Sequence, residues 1–123
     1  MQSKKNNLKY VGLWAETESK AITLPFTIAG IKTVLEWGAN PEKSQYTHQD
    51  IAHWCCRFYM KMREIDADKA MDIAIDIAED VDAQWELYMV NSFSLNELRN
   101  LDFSKERMPF EWFNNWLEKI NKA

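Results

Sequence analysis

Three glycines and three prolines must serve every turn in this chain of 123 residues. A β-sandwich or barrel of that length needs many tight turns, and those turns draw on Gly and Pro for positive or fixed φ. Helices joined by short loops need far fewer. Hydrophobic residues make up 46% of the chain, enough for burial to outweigh chain entropy, so the shortage of turn residues reads as helix and not as disorder. The expected architecture is one all-α domain over residues 1–123, a compact bundle of about five or six helices.

Caps and periodicity divide that bundle. Residues 1–9 are polar, carry Lys4, Lys5 and Lys9, and are expected to form a flexible lead-in. From Tyr10 to Ala21 the pattern fits a short strand and a helical turn equally. Thr23 can cap a first helix with Pro25 in its first turn and apolar positions at Phe26, Ile28, Ile31, Val34, Leu35 and Trp37, ended by Gly38. After the loop ANPEKSQY, Thr47 with Asp50 makes an acidic variant of the capping box, followed at helical spacing by Ile51, Trp54, Cys55, Phe58, Tyr59 and Met62.

Asp66 or Asp68 can cap a third helix, whose apolar face is Ala70, Met71, Ala74, Ile77, Ala78 and Val81. A break is expected near Asp80 to Asp82, with QWELYMV as a separate helical segment. Ser94 and Glu97 form another capping box before LNELRNL. Pro109 opens a last helix with Trp112, Phe113, Trp116, Leu117 and Ile120 in an i, i+3, i+4 stripe. The tryptophans sit mostly within such stripes, which assigns them to the core and not to base or sugar stacking.

The opening residues have no signal-peptide core, and no run approaches the roughly 20 apolar residues of a membrane span, so a cytoplasmic protein without membrane contact is expected. The only cysteines, Cys55 and Cys56, are adjacent and cannot join in an unstrained disulfide, which fits a reducing compartment. The formal net charge of −4 argues against direct nucleic-acid binding and for a basic partner.

His48, Asp50, His53, Cys55 and Cys56 fall within nine residues and invite a metal or nucleophile reading. Geometry weighs against it. His48 and His53 stand about 140° apart around a helix, and Cys55 and Cys56 about 100° apart. His53 and Cys56 are three apart and face the same way, but no orienting third group and no Gly-rich turn accompany them. No cofactor, metal or catalytic residue is expected.

Charge is least evenly spread between residues 64 and 86, where nine acidic residues (Glu64, Asp66, Asp68, Asp72, Asp76, Glu79, Asp80, Asp82 and Glu86) meet one basic residue, Lys69. Asp68, Asp72, Asp76 and Asp80 recur every fourth position. On a helix these are neighbours, and like charges there cost roughly 0.2–0.5 kcal/mol per pair. Glu79, Asp80 and Asp82 would add negative charge at the helix's negative end if it stops there. A face needed only for solubility gains stability by mixing Lys with Glu, so this spacing points to a ridge kept for a positively charged protein. The expected contact residues are Glu64, Asp66, Asp68, Asp72, Asp76, Glu79 and Asp80.

The stretches GANPEKSQYTHQDIAHWCCRFYMKM and DVDAQWELYMVNSFSLNELRNLDFSKERMPFEWFNNWLEKI resemble small bacterial immunity proteins encoded beside secreted polymorphic toxins, including those of contact-dependent growth inhibition systems. The resemblance implies a non-enzymatic, cytoplasmic toxin inhibitor whose partner is a cognate toxin C-terminal domain, and toxins of this kind that are nucleases are frequently basic. Another inhibitor of a nucleic-acid enzyme, of the anti-CRISPR kind, fits the same acidity. A small enzyme or metal protein using His53 and Cys56 is the alternative from a different class.

Overall fold

Five α-helices carry the fold among residues 10–11, 14–15 and 19–122, the parts described by the computed structural model. The expected lead-in at residues 1–9 lies outside them. The stretch from Tyr10, open between strand and turn, contains two short strands, β1 (Tyr10–Val11) and β2 (Trp14–Ala15). They pair antiparallel, Tyr10 opposite Ala15 and Val11 opposite Trp14.

The first helix starts later than its sequence suggests. Helix α1 spans Ile28–Ala39, and its cap is Thr27, not Thr23; the Thr27 hydroxyl accepts the Gly30 N–H at 2.9 Å. The reason is tertiary. Residues 20–24 are held without regular structure across the second helix, α2 (His48–Met62), whose side chains satisfy their backbone. The Lys20 N–H donates to Asp50 at 2.7 Å, Arg57 donates to the Ile22 carbonyl at 3.2 Å, and the Trp54 indole donates to the Leu24 carbonyl at 3.2 Å. A helix begun at Thr23 would draw this backbone away from α2.

Gly38 does not end α1 either; the helix continues through it to Ala39 and is capped by Asn40. Gly38 is instead a point of close approach, because a Cβ there would overlap the ring of Phe113. A 3-10 turn at Pro41–Lys43 follows, and Thr47 then caps α2 with the expected box: Thr47 N–H to Asp50 at 2.9 Å and Asp50 N–H to the Thr47 hydroxyl at 3.1 Å.

The break expected near Asp80 to Asp82 is absent. A single helix, α3, runs 24 residues from Lys69 to Ser92, about 36 Å at 1.5 Å per residue. Asp68 and not Asp66 is its cap, accepting the Met71 N–H at 2.9 Å. Neither Gly nor Pro interrupts these residues, and one buried stripe (Ala74, Ile77, Ala78, Val81, Trp85 and Met89) crosses the expected boundary. Burial of that stripe outweighs the local cost of the acidic run.

Helix α4 (Leu95–Arg99) carries the Ser94–Glu97 capping box, and Pro109 immediately precedes α5 (Phe110–Asn121). Helices α2 and α3 pack together as one pair, and α1 packs along α5 as another. Between the pairs lies one core that includes Trp54, Phe58, Trp85, Phe113 and Trp116. The Gly38 contact yields a sign test. Helix propensity alone predicts that Gly38→Ala stabilises the chain by about 1 kcal/mol, whereas overlap with Phe113 predicts a loss of about 1–3 kcal/mol. Urea unfolding should show the loss, with partial recovery in the Gly38→Ala/Phe113→Leu double variant.

Candidate functional site

The carboxylates between residues 64 and 86 divide once α3 is in place. Asp68 caps the helix N-terminus and Asp72 lies in its first turn, where the dipole favours negative charge, so this pair is partly compensated. Asp80 stands mid-helix, not near a C-terminus; it is half-buried and accepts the Trp116 indole N–H at 2.8 Å. Asp82 is not on the ridge but turned into the protein, 7% exposed, close enough to Cys55 to help raise the thiol pKa. Glu64 and Asp66 are exposed in the turn between α2 and α3.

Asp72, Asp76 and Glu79 remain. All three side chains are exposed, and among the described residues none has a hydrogen-bond or ion-pair partner. They share the face of α3 opposite the buried Ala74, Ala78, Val81 and Trp85, so they take no part in the packing of the helix.

This face borders an open furrow between α3 and α5, with a volume of about 850 Å³. Asp76, Glu79 and Asp80 form its α3 side, Lys119 and Lys122 its α5 side, and Ile73, Ile77, Ala83 and Trp116 complete its lining. A smaller hollow of about 340 Å³ adjoins it through Asp80, Trp116 and Lys119, and adds Gln84, Trp112 and Asn115. The two helices run antiparallel, as the Asp80–Trp116 hydrogen bond and the edge-on Tyr88–Trp112 contact at 5.9 Å require. The furrow exists because α3 packs chiefly on α2 and α5 chiefly on α1.

Sequence reasoning located the acidic side and missed the basic one. Lys119 and Lys122 are about 40 residues from the ridge, and only the antiparallel pairing brings them opposite it. The one available signal was their position on the polar face of the amphipathic last helix.

The His/Cys cluster disperses over different roles. His48 is buried; Met108 N–H donates to its Nδ1 at 2.9 Å, so the proton sits on Nε2, which donates to the Gly38 carbonyl at 2.9 Å. Burial lowers its pKa to about 4, assisted by the nearby positive charge of Arg107 and opposed by the Gly38 bond. Asp50 is engaged by Thr47 and Lys20, and His53 Nδ1 lies 2.6 Å from the Ser19 hydroxyl. Cys55 is fully buried, and desolvation pushes its thiol pKa far up, which removes nucleophilic character. Among the described residues no three His, Cys, Asp or Glu side chains gather as a metal site.

The chain matches no protein-family model and has no detectable similarity to a curated protein or a solved structure. Among the described residues, no helix is long and apolar enough to cross a membrane.

His48 sets a pH dependence. Its folded-state pKa lies below the ordinary 6.5, so the unfolded chain takes up the proton first, and His48's contribution is present above pH 6.5 and lost as pH falls through about 4. The stability difference between wild type and His48→Gln should therefore shrink by up to about 3 kcal/mol across that window. Chemical denaturation at a series of pH values measures it, since other titrating groups contribute equally to both proteins.

Proposed function

We propose that this chain is an immunity protein, a non-enzymatic inhibitor that binds the C-terminal domain of a cognate secreted toxin, a basic nuclease, in the cytoplasm. The observation that carries the reading is the set of exposed carboxylates Asp72, Asp76 and Glu79 on one face of α3, without partners among the described residues. Each repels its neighbours, and none contributes to packing. Such a ridge attracts a cationic surface and competes with nucleic acid for it.

Asp68 and Asp80 serve the fold as well as the ridge and Asp72 gains from the dipole in the first turn, which leaves Asp76 and Glu79 as the residues whose charge has no structural use among the described contacts. The acidic face is also long. From Asp72 to Glu79 it covers two turns of α3, about 10 Å, room for several Lys or Arg side chains of a partner.

The direct experiment is co-expression with the C-terminal domain of the secreted protein encoded beside this chain. Growth rescue together with a purified one-to-one complex is the expected result; absence of both removes the reading. Asp76→Asn/Glu79→Gln tests the face itself. The variant should keep its stability or gain up to about 0.5 kcal/mol through reduced repulsion, while its association rate with the toxin domain falls, most strongly at low salt. Unchanged kinetics at low and physiological salt would assign these carboxylates to solubility.

A further inference from the structure

We infer that the furrow between α3 and α5 seats one α-helix of the protein partner, with Arg or Lys side chains toward Asp76 and Asp80 and a carboxylate toward Lys119 and Lys122. The inference rests on the reading of this chain as a toxin-binding protein, and adds which element of the toxin is held and in which orientation.

Charge specifies the occupant's edges. The α3 side of the furrow is negative and the α5 side positive, so the occupant must carry both signs, basic on one edge and acidic on the other. An occupant reversed across the furrow meets Lys119 and Lys122 with its own cations, which selects one orientation by repulsion as well as attraction. A uniformly basic surface, sufficient for the ridge alone, fits the ridge and clashes with the lysines.

The lining specifies its secondary structure. In the larger part of the furrow, the uncharged surface is Ile73, Ile77, Ala83 and Trp116, and the one N–H of the Trp116 indole is already committed to Asp80. An extended segment laid there would have to bond its backbone N–H and C=O groups to Asp76, Glu79, Lys119 and Lys122, which takes those charges away from its side chains. A helix satisfies its own backbone and offers only side chains. The two hollows together follow α5 from Trp112 to Lys122, about 15 Å, the length of roughly three helical turns. Leu87, one turn beyond Ala83 on the same face of α3, is exposed and extends the apolar strip available to such a helix.

The test uses the inactivated toxin domain encoded beside this chain as probe, with binding kinetics read against two variants. Lys119→Gln/Lys122→Gln makes the chain two charges more negative than its formal −4. Attraction by the acidic ridge alone then predicts faster association and equal or tighter binding. A seated two-signed helix predicts the opposite, affinity weakened about tenfold or more through faster dissociation. Both lysines are exposed, and the ion pair Lys122 makes with Glu118, at 3.7 Å, is itself exposed and worth little, so the fold should tolerate the change.

Ala83→Trp fills the furrow from an exposed position without changing its charge and should likewise weaken binding about tenfold or more. Circular dichroism and unfolding midpoints verify that both variants are folded. Wild-type affinity, or tighter binding, in either variant overturns the furrow as the seat while leaving the acidic ridge as a contact. Failure of the wild type to bind the domain removes both readings together.

Discussion

A single neutral imidazole joins the parts of this molecule that the chain itself leaves far apart. His48 donates to the Gly38 carbonyl at the end of α1 and accepts the Met108 N–H just before α5, while standing in the first turn of α2. Its ring also packs on Phe110 and Phe113, at centroid distances of 5.8 Å and 4.5 Å. Two otherwise unsatisfied backbone groups are thereby paired in the interior, where leaving either unmade costs about 1–3 kcal/mol. With α5 anchored at its N-terminal end, Phe113 fills the space left by the missing Gly38 side chain, and Trp116 is carried to Asp80. The α5 side of the furrow therefore depends on an interaction made at the N-terminal end of the same helix.

That dependence explains why the acidic residues cannot be treated as one population. Asp68 caps α3, Asp80 accepts the hydrogen bond that joins α3 to α5, and Asp82 is buried beside Cys55. Their spacing at every fourth residue reflects, in part, a cap and an interhelical contact that happen to share a face with the exposed acids. The repulsion calculated from spacing alone is an upper bound, since a carboxylate at an N-cap gains from the helix dipole and one that receives an indole N–H gains a charged hydrogen bond. What remains after this subtraction is Asp76 and Glu79, with Asp72 exposed beside them but partly compensated in the first turn.

The parts of the fold that local chemistry determines were legible from the residues. Thr47 with Asp50, Ser94 with Glu97 and Pro109 mark helix starts by interactions that span three residues or fewer, and the structure contains all three starts. The start of α1 was not legible, because Thr23 and Thr27 are equally good caps and the choice between them is made by Arg57 and Trp54, which bond to Ile22 and Leu24 from 30 or more residues along the chain. The continuity of α3 had a legible sign in the absence of Gly and Pro, but a run of acids resembled a helix end. The basic side of the furrow was hidden for a different reason: the pairing of α3 with α5 is a property of how two helix pairs stack, and no short-range pattern encodes it.

Exposed carboxylates alone give a partner speed more than strength. At the ridge each charge faces water, where an ion pair is worth about 0–1 kcal/mol and falls with salt. Tight inhibition needs apolar area and excluded water, and the ridge by itself has neither. The furrow beside it has Ile73 and Ala83, the edges of the buried Ile77 and Trp116, each 4% exposed, and Leu87 one turn beyond, bounded by charges of both signs. Charges at the edge of an apolar contact are partly desolvated when the contact forms, so their pairing strengthens just as mispairing becomes costly. On the proposed reading, Asp76 and Glu79 stand where the ridge meets the furrow, so the same carboxylates that would speed a partner's approach would also help to orient it once its apolar contact forms.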